Sequence, residues 1–165
     1  MSAAAALDWR TNWHHIKTSA GIGTDVVPRL VEGAKALTMR DDWEFSVVAD
    51  VHIPYADNVA DFVAFFSVLT PTHEESFKYI QEAARCLRVC GQVVLSFLEF
   101  PIPCHWETFM VSIKSEAGRL WNQFVDRDAI RARAAHSGLV VESLFDGDEV
   151  TSRFPKRFRG RTACA

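Results

Sequence analysis

Two apolar runs on either side of one amphipathic stretch constrain this chain most. "FVAFFSVL" (Phe62 to Leu69) and "QVVLSFLEF" (Gln92 to Phe100) are apolar almost throughout, as strands covered on both faces by helices must be. Between them Phe77, Ile80, Ala84 and Leu87 recur at intervals of three and four, which marks one face of a helix. Thr72 and Glu75 form a T-x-x-E capping box ahead of it, and the helix is expected to stop near Gly91. A strand, a helix and a second strand of this kind form a parallel crossover unit.

The same alternation extends in both directions. "GIGTDVV" begins a short strand, and Pro28 opens a helix to about Leu37 that places Leu30, Val31, Ala34 and Leu37 on one side. "WEFSVVAD" (Trp43 to Asp50) is rich in β-branched and aromatic residues and reads as a strand. Pro101 and Pro103 end the run at Phe100 and open an irregular stretch containing Trp106, Phe109 and Trp121. A last helix, capped by Asp126 or Asp128 and ended by Gly138, leads into "LVVESLF" (Leu139 to Phe145). The expected class is α/β, a doubly wound, mostly parallel sheet. Residues 1–150 make one domain, and 151–165 form a basic C-terminal tail.

Composition sets the surroundings. The chain has 165 residues, 48% of them hydrophobic and 24% charged, an ordinary globular balance. No apolar run approaches the roughly 20 residues of a membrane span, so the expectation is a soluble cytoplasmic protein with no membrane partner. Five of the 18 basic residues, Arg153, Lys156, Arg157, Arg159 and Arg161, lie in the last fifteen positions with no acid among them. The first 150 residues therefore hold 13 bases (18 − 5) against 21 acids. A basic tail can meet nucleic acid or anionic lipid, but a solvated terminus is the commoner explanation and nucleic acid is not the expected partner. Cys86, Cys90, Cys104 and Cys164 do not pair at the usual zinc spacings, and Cys86 falls on the apolar side of a helix. Reduced structural thiols and no metal are the expectation.

Taken in order, "IGTDVVPRLVEGAK", "WEFSVVADVHIPYADNVADFVAFFSVLTPTHEES" and "EAARCLRVCGQVVLSFLEF" resemble the core of class I S-adenosylmethionine-dependent methyltransferases of the small-molecule "type 11" kind, over about Ile22 to Asp146. The resemblance implies a Rossmann-like sheet, here shortened, with S-adenosylmethionine as cofactor and a small-molecule acceptor. It implies that Asp25, with Val26, holds the ribose hydroxyls. Asp50 and Val51 would contact adenine, and Phe66, Ser67 and Val68 would border the methionine moiety and the acceptor. The family's "L-K-P-G-G" corresponds to "LRVCG", Leu87 to Gly91. Its glycine-rich first turn and its last strand have no clear counterpart. "GIG" (Gly21 to Gly23) lies too close to Asp25 to be that turn, and Ala3 to Leu7 is the segment expected to fill the central strand position. A second chain, identical or different, is the other way to complete the sheet.

The chemistry suits those positions. One carboxylate can accept both hydroxyls of a ribose diol; Asp25 read alone is better explained as a cap for the following helix, and Asp50 at the end of the next strand, on the same sheet edge, turns the reading to the ribose. Asp57 and Asp61 read as turn and strand-edge residues. Methyl transfer from a sulfonium asks the protein mainly to align the acceptor and, where needed, to deprotonate it. His73, Glu99 and His105 follow the carboxyl ends of predicted strands, and His73 and His105 are the candidate bases. The alternative function is a methyltransferase-like interaction module, or a fragment, with impaired catalysis. A dehydrogenase relative ranks lowest, because no G-x-G-x-x-G follows a strand.

Overall fold

The computed structural model describes residues 20–69, 76–114, 122–145 and 156–162. The chain divides into two compact units, Met1–Pro54 and Tyr55–Ala165.

In the first unit, β1 (Gly21–Asp25) pairs in parallel with β2 (Trp43–Val47), and α1 (Pro28–Thr38) connects them. The register explains the two glycines of "GIG". Gly21 faces Trp43 and Gly23 faces Phe45, and a Cβ at either glycine would sit 2.5 or 2.6 Å from the opposing ring. Bare backbone is needed so that the two rings, 6.0 Å apart and stacked, can lie across β1. These glycines serve strand packing. Pro28 stands in the first turn of α1, where its missing N–H costs nothing. The helix buries Val31 and ends at Met39 in the left-handed region, φ 47°.

In the second unit, four strands follow the order β3 (Ala60–Phe65), β4 (Leu87–Phe97), β6 (Lys156–Thr162), β5 (Leu139–Phe145). β3 and β4 are parallel, and α2 (Ser76–Cys86) precedes β4. α2 turns Ile80, Ala83 and Cys86 inward, all essentially inaccessible. β4 is the spine of the core. Val93, Leu95 and Phe97 have no accessible surface and Ser96 almost none, so both faces of this strand are covered. Ile130 and Ala134 of α4 (Arg127–His136) are likewise fully buried.

Several expectations change here. The helix α2 ends at Cys86 instead of running on toward Gly91, and Leu87 already belongs to β4. The register shifts between Ala60 and Phe62, which pair with Leu87 and Gln92. The extra residues of β4 bulge through Cys90, at φ 64°. Gly91 is required there because a Cβ would meet the Arg88 carbonyl oxygen at 2.8 Å and the Ala60 carbonyl oxygen at 3.0 Å. The stretch expected to be irregular contains α3 (Pro103–Lys114). Pro103 does end the strand, but as a first helical residue it also starts a helix. The expected basic tail contains β6, inserted antiparallel between β4 and β5. Alternate arginines with Phe158 and Gly160 between them hid a strand behind a charge pattern. β5 forms over the expected residues, and Asp126 is the N-cap of α4, accepting from the Asp128 N–H at 2.7 Å. Gly138, at φ 75°, follows the last turn. The Thr72 to Glu75 box, Trp121 and Ala3 to Leu7 lie outside the described residues. Among the described residues β1 pairs with β2 and β3 with β4, and neither β1 nor β3 has a second neighbour.

Candidate functional site

Asp25 ends β1 and Asp50 follows β2, so parallel pairing brings both acids to one sheet edge, the carboxyl edge at which such folds bind ligands. The ladder extends past Asp25, whose carbonyl accepts from the Val48 N–H at 3.1 Å. Each acid bends the chain that follows it. Asp25 Oδ1 accepts from the Val27 N–H at 2.8 Å, and Asp50 Oδ1 accepts from the His52 N–H at 3.0 Å. Val27, not Asp25, is the N-cap residue of α1. The helix-capping alternative is thus met only in a displaced form, and it occupies one carboxylate oxygen. The second oxygen keeps its acceptor capacity. Asp25 is half-buried and Asp50 exposed, while Val26 is 58% exposed beside them. Val51 is half-buried. This is a small, open, acceptor-rich edge, suited to a group that offers O–H and N–H donors, as a ribose diol and an adenine amine do.

In the second unit, Phe66, Ser67 and Val68 directly follow β3. Ser67 has φ 57°, a conformation that costs a non-glycine residue of order 1 kcal/mol. Its N–H donates to the Ser96 hydroxyl at 2.9 Å, and Ser96 is buried in β4. One buried hydroxyl therefore fixes a strained turn at the carboxyl end of β3, with Phe66 left 42% exposed.

The end of β4 carries the most structured polar group of this unit. Glu99 is 1% exposed, and Arg127 at the start of α4 meets it with both arms of its fork, Nε to Oε1 at 2.9 Å and Nη2 to Oε2 at 3.1 Å. His105, in the first turn of α3 and 3% exposed, sets its Nδ1 3.0 Å from the Glu99 N–H and 3.2 Å from the Glu99 carbonyl oxygen. Above this polar base four rings gather. Phe100 stacks on Phe124 at 4.8 Å, and Phe109 meets both edge-on at 5.2 and 5.4 Å. Trp106, half exposed, lies 5.1 Å from Phe109. Sequence reasoning placed Glu99 and His105 near strand ends but missed Arg127. Nothing in the sequence links positions 28 apart across a helix and a loop. His73 lies outside the described residues.

Asp57 and Asp61 pair with Arg85 and Arg88, in keeping with turn and edge positions. Among the described residues no group of three or more His, Cys, Asp or Glu side chains could hold a metal ion, and no helix is long and apolar enough to cross a membrane. Cys86 and Cys104 are free thiols. Cys90, however, is disulfide-bonded, which corrects the expectation of reduced thiols throughout.

The mixed α/β fold, with acids at the ends of adjacent parallel strands, is of the Rossmann-like class, and the comparisons narrow it. The methyltransferase-domain family model matches residues 9–95, more than half of the 165 residues. The chain belongs to this family, and its fold is that of class I S-adenosylmethionine-dependent methyltransferases. The fold is similar to a chain of the complex between the Haloferax volcanii Trm112 methyltransferase activator and a putative methyltransferase, with TM-score 0.72 and 18% identity over 95% of this chain and 77% of that one. It is similar to a SAM-dependent methyltransferase from Methanosarcina mazei, with TM-score 0.63 and 12% identity over 89% and 84%. It is also similar to magnesium protoporphyrin IX methyltransferase from Synechocystis PCC 6803 with bound SAH, with TM-score 0.67 and 14% identity over 86% and 64%. A search of curated proteins finds no match.

Proposed function

We propose that this protein binds S-adenosylmethionine through the acids at the ends of β1 and β2 and transfers its methyl group to a small-molecule acceptor. The observation that carries the reading is the paired placement of Asp25 and Asp50, each with one oxygen turned to its own backbone and one left for a ligand. Asp25 accepts the ribose hydroxyls, with Val26 against the sugar. Asp50 accepts from the adenine amine, with Val51 beside the ring. Phe66, Ser67 and Val68 border the methionine portion and the acceptor, with the Ser67 N–H fixed by the Ser96 hydroxyl. When bound, the cofactor supplies the methyl group on a sulfonium, and the chain has only to align a nucleophile and remove its proton.

His73 and His105 are the proposed bases. The backbone of Glu99 engages Nδ1 of His105. Residues 1–150 are taken as one methyltransferase domain acting in the cytoplasm. A second reading is an interaction module completed by another chain. The Haloferax protein's activator complex is a precedent for a hetero-oligomer.

Calorimetric titration with S-adenosylmethionine tests the first reading. Asp25→Ala is expected to weaken binding by about 1.5–3 kcal/mol, the scale of a charged hydrogen-bond partner. Equal affinities of wild type and variant would remove the assignment. Similar weak affinity for adenosine and S-adenosylmethionine would show that the adenosine half alone is gripped and would favour the second reading.

A further inference from the structure

The cofactor site leaves four aromatic rings at the carboxyl end of β4 without a role. Phe109 and Phe124 are half-buried, but Phe100 and Trp106 keep 46% and 47% of their surface exposed. The centroids of Phe100 and Trp106 are 6.4 Å apart and their planes meet at 59°, so the two rings form an open corner. Phe109 lies against both, at 5.2 and 5.1 Å.

Three of these rings are attached at points that hydrogen bonds hold. Phe100 follows Glu99, whose carboxylate is gripped by Arg127 and whose N–H lies 3.0 Å from Nδ1 of His105. Trp106 follows His105, and its own N–H donates to the Ile102 carbonyl at 3.0 Å. Phe124 bridges in parallel to Leu98, and the next N–H, of Val125, donates to the Leu98 carbonyl at 2.8 Å. Rings anchored this way lose little further freedom on meeting a ligand, which is the preorganisation a small binding site needs. Their place in the sheet points the same way. β3 and β4 are parallel, with Phe65 opposite Leu95, so Phe66 and Phe100 both follow the carboxyl ends of their strands, the edge at which open α/β sheets bind ligands. Phe66 is itself 42% exposed.

We propose that Phe100 and Trp106 form a recognition corner for a flat aromatic molecule, and that the ring of the methyl acceptor occupies it. Aromatic pairs prefer offset-stacked or edge-to-face arrangements with centroids about 4.5–7 Å apart. A ring lying flat on Trp106 meets Phe100 at a steep angle, so one ligand satisfies both preferences. An aliphatic ring of similar bulk covers the same area without the quadrupole that sets those geometries. The small-molecule acceptor is thereby narrowed to a planar, aromatic class. Calling this occupant the acceptor rests on the methyltransferase reading; the binding of a flat aromatic molecule does not.

Naphthol and its saturated counterpart decahydronaphthol, alike in carbon skeleton and hydroxyl, test the corner by chemical-shift titration of the full chain without cofactor. Naphthol should give saturable shifts at the amides of residues 99–109 and at the Trp106 indole N–H, which is identified by its loss in Trp106→Leu. It should bind about threefold or more tighter than decahydronaphthol, the scale of an aromatic pair beyond its buried area. Phe100→Leu and Trp106→Leu keep apolar bulk at exposed positions and should each weaken naphthol by about the same factor. Trp106→Phe should keep most of the affinity, and Val111→Ala, at a position 64% exposed on α3 with no part in the ring cluster, should leave it unchanged. Equal binding of the two probes, no saturable shift up to the solubility limit of naphthol, or undiminished binding by both leucine variants would each overturn the proposal. Because no cofactor is present, failure of S-adenosylmethionine to bind in calorimetry removes only the acceptor role and leaves the aromatic site standing, whereas failure of naphthol to bind leaves the cofactor assignment untouched.

Discussion

Replacing Arg127 by Ala removes a two-armed partner from a carboxylate that is almost wholly buried. The Glu99 side chain is 2% exposed, and Arg127, 36% exposed, holds both of its oxygens. Removing one member of a buried pair commonly costs roughly 3–5 kcal/mol, because the buried charge left behind loses compensation. The partial exposure of Arg127 favours the lower end. Proton uptake sets a ceiling: with an ordinary glutamate value near 4.3, neutralising the carboxylate at pH 7 costs about 2.7 × 1.36, or roughly 3.7 kcal/mol. The expected loss is thus about 3 kcal/mol. At about 2–4 °C per kcal/mol for a domain of this size, Tm should fall by about 6–12 °C. Because protonation relieves the charge, the deficit should shrink as the pH falls toward the ordinary glutamate range. Urea unfolding of wild type and Arg127→Ala at pH 5, 6 and 7 measures both. A loss below about 1 kcal/mol at pH 7, or a deficit independent of pH, would refute the reasoning. The Glu99→Gln/Arg127→Met pair should recover most of the stability, because neither charge then remains buried.

Three further outcomes follow from local geometry. Gly23→Ala places a methyl 2.6 Å from the Phe45 ring and should cost about 1–3 kcal/mol by overpacking, read as a lower urea midpoint. Met39 ends α1 at φ 47° and is 90% exposed, so Met39→Gly removes strain without losing packing and should raise stability by about 0.5–1 kcal/mol. Burial pushes the Cys86 thiol above its ordinary value, against the opposing pull of Arg85. Below the unfolded value of about 8.5 its contribution to stability is fully present, and it is lost as pH rises from there through the folded value. Native protein should therefore alkylate at Cys104 before Cys86, and Cys86→Ala should flatten the alkaline fall in stability.

The legible parts of this fold were those in which one physical signal acts alone. The apolar runs Phe62 to Leu69 and Gln92 to Phe100 announced β3 and β4, and Pro28, Asp126 and Gly138 marked helix ends, because capping and φ restriction are local. β6 was missed because alternation of arginine with small and aromatic residues reads as a solvated tail until β4 and β5 are known to flank it. α3 was missed because Pro103 both stops a strand and begins a helix. At the site, Asp25 and Asp50 were visible from their positions at strand ends. Their turns onto the Val27 and His52 N–H groups, and the grip of Arg127 on Glu99, depend on tertiary placement that no spacing encodes.

The central claim is that the carboxyl edge of β1 and β2 holds the adenosine part of the cofactor. Amide chemical-shift mapping on titration with S-adenosylhomocysteine tests it most directly. Saturable shifts are expected at residues 25–27 and 48–52, with a second group at 66–68, all reduced in Asp25→Ala. Saturable binding that leaves Asp25 to Val27 and Asp50 to His52 unmoved, or no saturable shift anywhere, would contradict it.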